Sequence, residues 1–158
     1  MMSDNKDIFL FLTRHAEAKS AAFSAGRPLS DRGTVEATLL GENLKKDNFE
    51  IKTIINSGIL RSEQTSEIIK KEIGHGKIIQ NERLAEGFSN NEAYWLTFVE
   101  TIQESTMLVG HNPTIFDILQ LANPGLNFEF TTGSCICLKK NQENLTYSDY
   151  WSYKIPKD

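Results

Sequence analysis

The sequence predicts an α/β fold, a three-layer α/β/α sandwich around a mostly parallel central sheet. Three observations carry this. Short apolar runs rich in strand-forming residues alternate along the chain with longer segments of helical periodicity. The runs are continuously apolar rather than alternating, as strands buried on both faces are. Parallel neighbours need crossover connections, and the intervening helical segments supply them.

The elements follow in order. Ile8 to Leu12 (IFLFL) reads as a central strand. Thr34 to Lys46 places Val35, Leu39 and Leu40 near helical spacing, with Gly33 before it and basic residues at its end. Thr53 to Asn56 is the next strand; after the Ser57-Gly58 turn, a helix runs from Arg61 and stops at Gly74. Lys77 to Gln80 reads as a short strand, followed by a polar stretch through Asn91. A helix then carries Tyr94, Trp95, Phe98, Val99 and Ile102, whose aromatics are assigned to the core. Thr106 to Gly110 is a further buried strand. Pro113 suits the first turn of the next helix, which carries Ile115, Ile118, Leu119 and Leu121. Phe128 to Leu138 and Tyr147 to Ile155 read as the last strands, the second of them a half-exposed edge.

A chain of 158 residues suits one domain spanning residues 1–158 with a single substantial core. Ordinary globular usage, 39% hydrophobic and 24% charged, argues against disordered and coiled-coil classes. The net charge of -4 argues against a nucleic-acid partner, which would demand a broad basic surface. Acidic residues precede a very short apolar run at the start, which fits neither a signal peptide nor a membrane span, so a cytoplasmic location and no membrane association are expected. Cys135 and Cys137 lie one residue apart on a strand and point to one face, which favours packing over redox or metal chemistry. With three histidines and no ligand-spaced cluster, no metal and no cofactor are expected, and His75, between Gly74 and Gly76, is expected in an exposed turn.

The chemistry gathers at strand ends. Arg14 and His15 follow the first run, Arg61 follows the second and His111 follows Thr106–Gly110. Open α/β sheets bind ligands beyond the carboxyl ends of their strands, so these elements converge on one edge. Guanidinium groups bind phosphoryl oxygens through paired hydrogen bonds, and their charge disfavours protonation of a neighbouring imidazole. His15 is thus a candidate nucleophile toward phosphorus, with Arg14, Arg61 and His111 as phosphate-binding groups.

These residues resemble the signatures of the histidine phosphatase superfamily. LTRHAEA is similar to its RHG motif, with Ala16 at the glycine position. GRPLSDRGTVEA resembles the segment that follows, and SGILRSEQTSEI resembles SPxxRxxQT, with Gly58 in place of the proline. MLVGHNPTIFDIL and FTTGSCICL resemble the second-histidine motif and late strand of the short SixA-like branch of phosphohistidine phosphatases. The matches run in family order from about Phe9 to Leu138.

The resemblance implies that His15 becomes phosphorylated, that Arg14, Arg61 and His111 hold the phosphoryl oxygens, and that water releases phosphate without a metal or cofactor. It also implies a phosphorylated protein as substrate, a histidine phosphotransfer domain being one such partner. Larger relatives protonate the leaving group with a glutamate in an L-x-E context. Glu86 in Leu84-Ala85-Glu86 matches it, with Glu82 and Glu17 as weaker candidates and an ordinary solvated glutamate as the remaining alternative. Arg27 is left outside the catalytic set, a surface ion pair being an equally good reading. The alternatives are a small-molecule phosphomonoesterase acting on a phosphorylated metabolite, and a noncatalytic phosphate-binding adaptor. A dinucleotide domain is disfavoured because no G-x-G-x-x-G follows the first strand.

Overall fold

The computed structural model describes residues 7–21, 26–144 and 146–156; the first six residues, covered by the reading of the start as neither leader nor span, lie outside these. Six strands form one sheet: β1 (Phe9–Arg14), β2 (Thr53–Asn56), β3 (Lys77–Gln80), β4 (Thr106–Gly110), β5 (Cys135–Lys140) and β6 (Tyr147–Tyr153), ordered β3-β2-β4-β1-β5-β6. The first four strands are mutually parallel, and β5 pairs antiparallel with both β1 and β6. The helices are α1 (Asp31–Lys46), α2 (Leu60–Ile73), α3 (Glu92–Thr101) and α4 (Thr114–Ala122).

The pleat sorts the strand side chains between two cores. Leu10, Leu12, Leu108, Ile136 and Leu138 pack with Trp95 and Val99 of α3 and Ile115, Ile118 and Leu119 of α4. Their neighbours in sequence, Phe11, Met107, Val109, Cys135 and Cys137, pack with Leu40 and Leu44 of α1 and Ile69 and Ile73 of α2. The continuously apolar runs therefore serve both faces at once, giving the expected three layers. Burying each such side chain is worth roughly 1.5–3 kcal/mol. Among the described residues, no helix is long and apolar enough to cross a membrane.

Several boundaries differ from expectation for local reasons. Helix α1 begins at Asp31, because Ser30 Oγ accepts a hydrogen bond from the Gly33 N–H and caps the first turn. Residues 128–134 are not strand, contrary to the expectation for Phe128 to Leu138. Phe128 and Phe130 are buried, but the chain turns at Gly133 (φ 73°), so pairing with β1 begins only at Cys135. Pairing of β6 with β5 ends at Tyr153 rather than at Ile155. His75 is half-buried rather than exposed: its Nδ1 donates to the Ile73 carbonyl at 3.1 Å and its Nε2 accepts from the Ile51 N–H at 3.1 Å.

Candidate active site

The topology makes the site. After β1 the chain leaves toward α1 on one face of the sheet, and after β4 it leaves toward α4 on the other. The two strands are adjacent, with Arg14 opposite Gly110, so a crevice opens where their carboxyl ends part. His15 and His111 are the next residue on each strand. The His15 N–H donates to the Gly110 carbonyl at 3.0 Å, and the two imidazole centroids lie 5.0 Å apart.

Arg61 enters from the first turn of α2. The loop before it, Ser57–Ile59, turns on Gly58, whose φ of 86° suits glycine and is closed to proline. Its N–H donates to Asn56 Oδ1 at 2.8 Å, a bond proline could not make. The loop is thus pinned by side chains rather than by a ring. Ser62 Oγ accepts from the Ser57 N–H and donates to the Val109 carbonyl at 2.7 Å, tying α2 to β4. Thr65 accepts from the Ala16 N–H at 3.0 Å and donates to the Arg61 carbonyl at 2.7 Å, joining the first motif to the second.

His15 is 7% exposed. Its Nδ1 donates to the carbonyl of Ala16 at 2.7 Å, which leaves Nε2 with the lone pair, and Arg61 Nε donates to that nitrogen at 3.2 Å. Burial, followed by the charges of Arg61, Arg14 and Arg27, pulls the His15 pKa from 6.5 to about 4, against the Ala16 hydrogen bond, which raises it. The neighbouring charges, expected from the sequence to cause this, contribute less than burial does. His111 falls likewise from 6.5 to about 4, through burial first and then the charges of His15, Arg61 and Arg14. Both rings are neutral at pH 7.

Arg14 donates from Nη1 to the Phe130 carbonyl at 2.9 Å, and its buried Nε has no partner among the described residues. Asn112 Nδ2 donates to the same carbonyl at 3.1 Å. The irregular segment before β5 therefore fixes both the Arg14 fork and the residue after His111. His111 Nε2 lies 2.7 Å from Ser57 Oγ, and its Nδ1 is buried without a partner among the described residues.

Arg14, His15, Arg61 and His111 thus converge on one edge. Glu86 does not join them by any hydrogen bond or ion pair among the described residues. It is exposed between the one-turn 3-10 helices Glu82–Leu84 and Phe88–Asn90, where Oε1 accepts from Asn91 Nδ2 at 3.0 Å. Its carbonyl accepts from Thr114 Oγ1 at 3.4 Å, so the loop does reach the start of α4. Glu82 is exposed, and Glu17 accepts from Ser30 Oγ at 2.9 Å and lies 3.8 Å from Arg32.

Two further residues bear on the site: Arg27, weighed from the sequence and left outside the catalytic set, and Ser57, which the sequence did not single out. Arg27 forms no ion pair among the described residues; its Nε donates to the Lys19 carbonyl at 3.0 Å, and its charge acts on both His15 and Arg61. A third positive charge therefore acts on the site from the loop after the first strand. Ser57, passed over as a turn residue, contacts His111. Two grooves of about 1120 and 630 Å³ lie at the opposite, amino end of the parallel strands, lined in common by Asn48, Phe49, Glu50 and Lys52. Neither is lined by any of these site residues. Among the described residues no group of three or more His, Cys, Asp or Glu is gathered in metal-binding geometry.

What the crevice can do chemically is clear from its parts: a neutral imidazole nitrogen with an available lone pair, beside fixed positive charge, can attack an anionic phosphoryl group and hold it. Known proteins share the frame. The structure of protein histidine phosphatase SixA complexed with tungstate superposes with a TM-score of 0.75 at 24% identity, covering 92% of this chain and 96% of that one. A chain provisionally named phosphohistidine phosphatase SixA from Agrobacterium tumefaciens gives 0.78 at 22% identity, over 96% of this chain and 100% of that one. Phosphoglycerate mutase from Plasmodium falciparum gives 0.71 at 19% identity, over 93% and 91%. Comparison with curated proteins gave no match. The profile of the histidine phosphatase superfamily (branch 1) matches residues 10–111, from β1 through His111, and the chain belongs to that superfamily.

Proposed function

We propose that this protein is a metal-independent phosphatase that works through a phosphohistidine on His15 and acts on phosphohistidine in proteins. The observation that carries the reading is the state of His15, with Nδ1 donating to the Ala16 carbonyl and Nε2 neutral beside Arg61. In the first step the Nε2 lone pair forms a bond to phosphorus, and the bond from phosphorus to the substrate nitrogen or oxygen breaks. Its electron pair leaves with that atom, which takes up a proton. In the second step water attacks phosphorus, the N–P bond breaks, His15 recovers its lone pair, and the water proton is released with inorganic phosphate. Arg14, Arg61 and His111 hold the phosphoryl oxygens through both steps, with the charge of Arg27 nearby, and Glu86, on the loop that reaches the start of α4, is the candidate general acid for oxygen leaving groups. An imidazole leaving group needs less help from an acid.

A protein substrate is favoured by the two short connections that flank the histidines, beside the longer ones from β1 to α1 and from β3 to α3 at the same edge. Only residues 57–59 join β2 to α2 and only residues 111–113 join β4 to α4, so neither forms a lid. The similarity to SixA supports the same class. The test compares phosphate release from a phosphohistidine-bearing protein and from simple phosphate esters, with EDTA present, in wild type and His15→Ala. Turnover of the phosphoprotein that disappears only in the mutant is expected. Faster turnover of small esters would point to a metabolite phosphatase; phosphate binding without turnover of either substrate would point to an adaptor.

A further inference from the structure

The second histidine poses a question of its own. A neutral imidazole carries one N–H, and its usefulness to an incoming anion depends on which nitrogen bears it. His111 Nε2 is 2.7 Å from Ser57 Oγ, while Nδ1, on the ring 5.0 Å from that of His15, is buried with no partner among the described residues. The hydrogen-bond inventory of Ser57 decides between the tautomers. Ser57 is 2% exposed, and its Oγ already accepts the Ile59 N–H at 3.2 Å. If Nε2 carried the proton, Oγ would accept twice and its own O–H would have no acceptor among the described residues. His111 would also present a bare Nδ1 lone pair to phosphoryl oxygens. If Ser57 donates, every polar atom of the pair is used and Nδ1–H is left over as a donor.

We propose that Ser57 is a positioning residue that donates its hydroxyl proton to His111 Nε2, fixing the neutral ring with its proton on Nδ1 so that this N–H meets a phosphoryl oxygen of the group on His15. The proposal rests on the phosphoryl-transfer reading of the site. It also explains why a short loop between β2 and α2 is held so firmly. Ser62 Oγ accepts the Ser57 N–H, and Asn56 Oδ1 accepts the Gly58 N–H, so the Ser57 hydroxyl is delivered by a backbone fixed at two successive residues. The low pKa of His111 is consistent with this, because the ring must donate to the phosphoryl group without carrying a full charge beforehand.

The experiment reads the tautomer directly, from the ring ¹⁵N chemical shifts of His111 at pH 7 in the full chain as wild type, Ser57→Ala and Ser57→Thr, alongside kinetics. In wild type, Nδ1 is expected to be protonated and Nε2 to carry the lone pair. In Ser57→Ala the population moves toward Nε2–H, and kcat falls by roughly 10- to 100-fold, less than the ~10²–10³-fold cost of deleting a transition-state donor outright. Ser57→Thr restores both. A wild-type ring protonated on Nε2 overturns the proposal, as does a Ser57→Ala protein with the wild-type tautomer and rate. If Ser57→Ala fails to fold, the wild-type and Ser57→Thr spectra still decide. The shifts need no substrate, so failure to hydrolyse phosphohistidine would refute the proposed function while leaving this readout intact.

Discussion

Acidifying the solution from pH 7 to pH 5 leaves His15 unprotonated, which is unusual for a histidine. A side chain with the ordinary value of 6.5 is about 97% protonated at pH 5, whereas one at about 4 is roughly 10% protonated. At ~1.36 kcal/mol per pH unit, the displacement corresponds to about 3 kcal/mol of preference for the neutral ring. Its first cause is burial, so it persists at high salt, where the contributions of Arg61, Arg14 and Arg27 are screened. The same quantity enters folding. The folded value lies below the unfolded one, so the unfolded chain binds the proton first, and stability present above pH 6.5 is lost as pH falls toward 4. For His15 the loss reaches about 3 kcal/mol at most; His111, lowered likewise from 6.5 to about 4, adds a loss of the same sign. The assay is an NMR titration of the imidazole carbon-bound protons, with His15 assigned through His15→Ala, paired with urea midpoints at pH 7 and 4.5. A His15 midpoint near 6.5 would refute the reasoning, because the ring would then be no more desolvated than that of a surface residue.

Three further outcomes are expected. Arg27→Ala lowers kcat/KM by about 10-fold, the scale of one charge-assisted contact, without abolishing phosphorylation of His15; an unchanged kcat/KM would place its side chain outside the reaction. Glu86→Gln loses rate on alkyl phosphates but not on phosphohistidine, and equal rates on both would remove Glu86 from the mechanism. Gly33→Ala destabilises the fold by about 3 kcal/mol, read as a lowered urea midpoint, because the added Cβ would sit 1.9 Å from the Glu17 carbonyl oxygen.

Much of this is legible in the sequence. Thr53–Asn56 and Thr106–Gly110 stand at their expected limits because short apolar runs between polar punctuation leave a buried strand little freedom, and the exposed edge strand Lys77–Gln80 also stands at its expected limits. The convergence of Arg14, His15, Arg61 and His111 follows from strand ends alone, since a parallel sheet delivers every carboxyl end to one edge. What was hidden depends on contacts between distant residues. Phe128 and Phe130 have the composition of a strand, and only tertiary packing turns them into a buried irregular segment whose carbonyl holds Arg14. Arg27 has a left-handed backbone (φ 48°), which sequence does not suggest for arginine. His75 looks like a turn residue between glycines until its Ile51 partner is known.

Strand β5 carries the only two thiols in the chain, both free and both wholly buried against α1 and α2. Burial pushes the Cys135 pKa up to about 12 and raises that of Cys137 as well, so the reactive thiolate is scarce in the native state. A thiol-specific reagent can capture these sulfurs only when β5 separates from the helices beside it. Because β5 hydrogen-bonds along β1 almost to His15, with Cys135 paired to Thr13, capture of the sulfurs times the opening of the strand that supports the candidate site. The protein thus contains its own stopwatch for loss of the candidate site, legible by mass spectrometry as the mass that the reagent adds to the two thiols.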